Sequence, residues 1–147
     1  MKNEKRKQLL EKFYNKCKQE RLSVTPQRLA IYHALIDSED HPSPDTIFKR
    51  VKSDFPMISF ATVYKTLETF ESKGIISKVT ALHKTLRYDS LTTQHHHIVC
   101  IKCKKIIDLK NEELDSVAVP SQVTNDNILV DYSIHFNVIC AECKNKK

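Results

Sequence analysis

Four of the five cysteines form two C-x-x-C pairs, Cys100 with Cys103 and Cys140 with Cys143. Thiolates at this spacing close a tetrahedral cage around zinc, and four sulfurs leave no open position for chemistry. The residues therefore read as a structural zinc site, with a redox dithiol or incidental buried cysteines as the competing readings. Just ahead of the first pair stands "HHHIVCIKC", residues 95–103. In a strand, His95 and His97 project to one face and His96 to the other. His95 and His97 are thus candidate ligands of a second centre. Asp89 and Asp108 flank them in sequence, and His41 lies in the loop "DHPSPDT". Three imidazoles and two carboxylates make a nitrogen and oxygen donor set suited to Fe2+, Mn2+ or Co2+. Each of the five, taken singly, reads equally as an ordinary polar residue. Cys17 sits on a helix stripe and reads as a small buried hydrophobe.

These residues need a scaffold, and the first half supplies helices with clear punctuation. Residues 4–20 carry Leu9, Leu10, Phe13, Tyr14 and Cys17 on one stripe. Thr25 and Pro26 start a second helix, whose buried face is Leu29, Tyr32, Leu35 and Ile36. Ser43 and Pro44 start a third, with Ile47, Phe48 and Val51 inward and Pro56 closing it. Ser59 caps a fourth helix striped by Val63, Leu67 and Phe70. Gly74, the sole glycine, follows as its C-terminal stop. Residues 75–90 read as a β-hairpin.

Three helices and a hairpin are the order of a winged helix-turn-helix. Residues 59–73 would be the recognition helix, presenting Thr62, Tyr64, Lys65, Thr66 and Thr69 as short donors, a cation and an aromatic for phosphates and base edges. An ordinary solvated face is the competing reading.

The second half reads as strand, helix and strand. "HHHIVCIKCKKIIDL" is strand-like, "NEELDSVAVPSQV" is a weak helix broken at Pro120, and "NILVDYSIHFNVIC" alternates with Ile128, Val130, Tyr132, Ile134, Phe136 and Val138 on one face. The fold class expected is α+β. An N-terminal winged-helix DNA-binding domain spans 1–88, and a small α+β domain spans 89–147.

Charge follows the same division. Residues 1–88 hold 17 Lys and Arg against 10 Asp and Glu; residues 89–147 hold 7 against 8. A basic first half points to a polyanionic partner. The charged N-terminus resembles no signal peptide, and no segment has the roughly 18 apolar residues of a membrane span. The expected location is cytoplasmic, where thiols stay reduced. Lys104 and Lys144 follow the cysteine pairs where tight metal knuckles favour glycine, so a looser cage is expected.

From Val24 to Cys143 the sequence resembles the ferric uptake regulator family, and within it the peroxide-sensing PerR type. The resemblance rests on "TPQR", "HPSPDTIF", "SFATVYKTLE", "RYD", "HHHIVCIKCKKIID" and "CAEC" together. It implies a homodimeric repressor of operator DNA, dimerised through its C-terminal domain, with no membrane and no small-molecule substrate. Cys100, Cys103, Cys140 and Cys143 match the structural Zn2+ ligands. His41, Asp89, His95, His97 and Asp108 match the regulatory Fe2+ or Mn2+ ligands, which bridge the two domains. His41 and His95 match the histidines oxidised when bound iron meets hydrogen peroxide. Tyr64 matches the recognition-helix tyrosine. Asp108, where iron-sensing members carry Glu, favours the peroxide type. The resemblance departs at Asp131 and Tyr132, where a histidine of an additional metal site is usual, so that site is expected to be absent or altered.

Three rival readings are a repressor that senses metal supply and not peroxide, a metalloenzyme, and a structural zinc module with no sensing role. The chain lacks the H-E-x-x-H and H-x-E with P-C-x-x-C patterns of zinc enzymes. No enzymatic role is expected. His96 and His135 receive none either.

Overall fold

A computed structural model describes residues 2–38, 41–79, 86–90 and 93–146. The chain divides into two compact units, Met1–Thr92 and Thr93–Lys147. This boundary lies four residues beyond the 88/89 division read from the sequence, because Asp89 completes a strand of the first unit.

In the first unit, α1 (Lys2–Gln19), α2 (Pro26–Ile36), α3 (Pro44–Asp54) and α4 (Phe60–Ser72) precede a hairpin of β1 (Ser77–Val79) and β2 (Arg87–Asp89). The expected caps form. Thr25, Ser43 and Ser59 each accept the backbone N–H three residues on, satisfying donors a helix start leaves orphaned. Gly74 adopts φ +72°, and its N–H bonds the Glu71 carbonyl at 3.1 Å. A side chain there would find space but not a comfortable backbone. The turn of the hairpin lies outside the described residues.

The core of this unit joins all four helices to the hairpin. Phe13 stacks on Tyr32 at 4.1 Å between centroids and meets Phe70 edge-on at 5.6 Å. Cys17, Ile31, Leu35, Ile47, Val51, Val63, Leu67 and Tyr88 close the cluster. Cys17 is buried there as a hydrophobe, as expected. The α1 stripe is narrower than its periodicity suggested: Tyr14 is exposed. Conversely, Ile31 and Ala34 of α2 are buried because that helix is covered on more than one side by its neighbours.

The second unit is a three-stranded sheet in the order β4–β3–β5, with β3 (His96–Cys100), β4 (Ile106–Leu109) and β5 (His135–Val138). β4 runs antiparallel to β3, and β5 runs parallel to it. Short helices α5 (Glu112–Asp115) and α6 (Ser121–Thr124) flank Pro120, and α7 (Ala141–Lys144) carries the last cysteine. The long final strand expected from residues 127–140 is a correction. Only 135–138 pairs; residues 127–134 are in no described strand, and Ile128 and Val130 are 92% and 89% exposed. Alternation marks a face that could be buried, but a strand exists only where a partner supplies hydrogen bonds.

The apolar side chains buried in this unit are few: Val99, Cys100 and Cys143. A unit with so small a core needs a staple.

Candidate metal centres and nucleic-acid surface

The cysteines supply the donors for that staple. Cys100 ends β3, and a turn in which Lys104 N–H bonds the Cys100 carbonyl at 3.0 Å brings Cys103 alongside. Lys104 takes φ +68° there, a left-handed conformation uncommon for lysine. Lys144, by contrast, lies in α7, which presents its pair from a helix start. The four ligand atoms lie within 4.8 Å of one another, with Cys103 Sγ and Cys140 Sγ 3.7 Å apart. Backbone N–H donors of Cys103 and Cys140 hold the Cys100 thiol down at about 5. The thiol of Cys140, with burial, pushes Cys143 up to about 12. One sulfur ionises readily and another resists, as in a cluster sharing too few protons. A divalent cation would displace those protons and satisfy all four sulfurs.

The histidines lie on the opposite side of β3 from Cys100. His97 pairs directly with Asp108 on β4 and with His135 on β5, so all three occupy one cross-strand row on one face. Nδ1 of His95 is 2.7 Å from the Thr93 carbonyl. A carbonyl only accepts, so Nδ1 carries the proton and the neutral ring offers a lone pair at Nε2. That Nε2 is 3.4 Å from Asp108 Oδ1, and His97 Nε2 is 3.5 Å from the same oxygen. Two imidazoles thus converge on one carboxylate oxygen, with the first ring held by a backbone acceptor, as metal-ligating histidines usually are.

His41 and Asp89 lie in the first unit. Both are 7% exposed, and His41 Nε2 is 3.0 Å from Asp89 Oδ2. The His41 carbonyl accepts from the Arg87 guanidinium at 2.9 Å, and the Pro42 carbonyl accepts from Tyr88 N–H at 3.1 Å. These bonds fasten the loop to β2 and aim an imidazole and a carboxylate together.

His96 was rightly separated from its neighbours by strand period. It is fully buried on the other face, its Nε2 2.8 Å from Asp115 Oδ1 and its Nδ1 accepting from Ile134 N–H at 3.0 Å. Tyr132 stands beside it at 6.0 Å between rings and donates to the Leu114 carbonyl at 2.6 Å. Sequence reasoning missed His135, whose ring stacks on His97 at 4.9 Å. Its place in an alternating segment was visible, but its pairing with His97 was not.

On α4, Thr62, Tyr64 and Lys65 are exposed, and Thr66 and Thr69 are half-buried. The expectation of short donors needs correction. Thr66 Oγ1 donates to the Thr62 carbonyl at 2.8 Å, and Thr69 Oγ1 to the Lys65 carbonyl at 2.9 Å. Their protons are used within the helix, leaving acceptor lone pairs and methyl groups. Tyr64 stacks with Phe60 at 6.2 Å. Exposed Glu68, one turn beyond Tyr64, bounds the acid-free surface.

Comparison with known proteins matches residues 19–137 to the ferric uptake regulator family. The peroxide-responsive repressor PerR of Staphylococcus aureus is 34% identical over 137 residues, covering 93% of each chain. Among solved structures, the Helicobacter pylori ferric uptake regulator Fur, described as having three functional metal-binding sites, superposes with a TM-score of 0.74 at 25% identity, covering 96% of this chain and 95% of its own. The Campylobacter jejuni peroxide stress regulator does so with a TM-score of 0.62 at 30% identity, covering 80% and 89%.

Proposed function

Since this chain belongs to the ferric uptake regulator family, and is thus a metal-responsive transcriptional repressor and not an enzyme, we propose that it senses peroxide through a regulatory metal centre. Cys100, Cys103, Cys140 and Cys143 would hold structural zinc. His41, Asp89, His95, His97 and Asp108 would hold Fe2+ or Mn2+. The observation that carries this reading is the convergence of His95 and His97 on one oxygen of Asp108. The separate pairing of His41 with Asp89 supports it. Two sets of donors, one of two residues and one of three, would be completed by one cation.

A cation bound by all five ligands would favour the conformation in which all five contribute, and so shift a two-state equilibrium toward it. In that arrangement the α4 helices of a homodimer would enter successive major-groove half-sites of operator DNA, with Thr62, Tyr64, Lys65, Thr66 and Thr69 at the surface. The basic first half supports the DNA partner. The exposed Ile128 and Val130 support a second copy as the cover for residues 127–134. Two C-x-x-C pairs held for metal ligation suit a reducing, cytoplasmic setting, and no helix among the described residues is long and apolar enough to cross a membrane.

Bound iron would supply the chemistry by which peroxide adds oxygen to a ligand imidazole; Mn2+ would support DNA binding without it. His41 and His95 are the side chains expected to change, His95 because Thr93 fixes its ring toward the centre. Oxidation of either would remove a donor and release DNA. The test is peptide mass spectrometry after anaerobic loading with Fe2+ or Mn2+ and a brief peroxide pulse. A one-oxygen gain on the His41 or His95 peptide, with iron alone, is expected. Unmodified histidines with normal iron binding would instead identify a repressor responding to metal supply.

A further inference from the structure

We propose that His135 is a reserve metal ligand, completing with His95, His97 and Asp108 a four-donor site that lies wholly within the second unit. The inference rests on the regulatory reading of those three residues and adds a fourth that the reading does not use.

The row Asp108–His97–His135 is set by strand register on both sides of β3. His95, two residues before His97, shares its face. The rings of His95 and His97 are 4.8 Å apart, and those of His97 and His135 are 4.9 Å apart. The second observation concerns tautomers. His135 Nε2 is 3.0 Å from Ser133 Oγ. Its Nδ1 is buried and has no hydrogen-bond partner among the described residues. An N–H buried without an acceptor is costly. The economical state therefore donates Nε2–H to Ser133 and leaves a bare lone pair at Nδ1. That is the state in which a histidine binds a metal: one nitrogen anchored, the other unprotonated. A turn of the ring that keeps the Ser133 bond would offer that lone pair to a cation held by His95, His97 and Asp108. Three imidazoles and one carboxylate make a complete tetrahedral set for a divalent ion.

The consequence is a metal that stays with the second unit when His41 and Asp89 let go. Domain release would then precede metal loss.

The test uses Co2+ with full-length, zinc-loaded protein, read by its visible ligand-field bands. Wild type should bind one cobalt beyond zinc. The H41A/D89A variant should still bind one, with a more tetrahedral, more intense spectrum. Adding H135F, which keeps an aromatic ring against His97 but offers no donor, should weaken binding at least tenfold in that background. Proton NMR of the cobalt form of H41A/D89A gives a reading that needs no change at position 135: shifted exchangeable imidazole signals from His95, His97 and His135, not from two histidines. Loss of all cobalt binding in H41A/D89A, unchanged affinity on adding H135F, or only two shifted signals would overturn the reserve-ligand role. If wild type itself binds no second metal, the regulatory centre fails and this inference falls with it.

Discussion

His96 and Asp115 meet at 2.8 Å, Nε2 to Oδ1, while the other ring nitrogen of His96 accepts a backbone N–H from residue 134. Both nitrogens are committed, so His96 is a strut tying β3 to α5 and to the approach of β5, and not a metal ligand. Replacing it with Leu should leave metal stoichiometry unchanged. It should also destabilise the second unit by about 1–3 kcal/mol, the usual cost of stranding a buried polar partner. Urea denaturation of the zinc form, with metal analysis alongside, checks both outcomes.

Removal of one of the four thiolates proposed to hold zinc should be far more severe. Cys143→Ser leaves the small sheet without its staple, where structural zinc in small domains contributes about 10–16 kcal/mol. Hydrogen exchange should show loss of protection across β3, β4 and β5. The amides of α2 and α4, built on the core around Phe13 and Phe70, should keep theirs. Equal loss in both units would contradict an independent first core.

On α4, charge and hydroxyl should separate. Lys65→Ala should weaken binding to all DNA sequences and lower the salt slope by about one. Thr66→Val keeps the methyl group and replaces a hydroxyl whose proton already serves the Thr62 carbonyl, so its DNA affinity should change by less than about threefold. Salt-series anisotropy with operator and random duplexes distinguishes the two.

Alkali should act through two tyrosines. Burial pushes Tyr32 up to about 12, assisted by Cys17. Tyr88 rises to about 12 by burial and then by nearby Tyr64, Glu68 and Glu71. In the unfolded chain both titrate near 10. Between these values the unfolded state loses protons that the native state keeps, so stability is full below pH 10 and falls toward 12. Tyrosinate absorbance should show two late phenols that shift to earlier ionisation when urea unfolds the chain.

The first unit was legible because its signals are local. Thr25, Ser43 and Ser59 announce helix starts within three residues, and Gly74 announces a stop. Each C-x-x-C pair was legible because it is local in sequence. The second unit was less so. Strand period separated His96 from His95 and His97, but which strand stands beside β3 is decided by contacts far apart in sequence, so the Asp108–His97–His135 row was hidden. The alternation of 127–140 misled for the same reason: it reports a two-sided segment, not the presence of a partner. The hydroxyls of Thr66 and Thr69 looked like donors to DNA because composition cannot show that a helix has already claimed their protons.

The parallel pairing of β3 with β5 also fixes an order of events during synthesis. His97 waits for His135, and Cys100 waits for Cys140 and Cys143, so the sheet cannot close until nearly the whole chain has emerged. The first unit is complete once Asp89 is out, and domains generally fold as they emerge. A nascent chain on the ribosome therefore carries a folded first unit, α4 included, before either proposed metal centre can form.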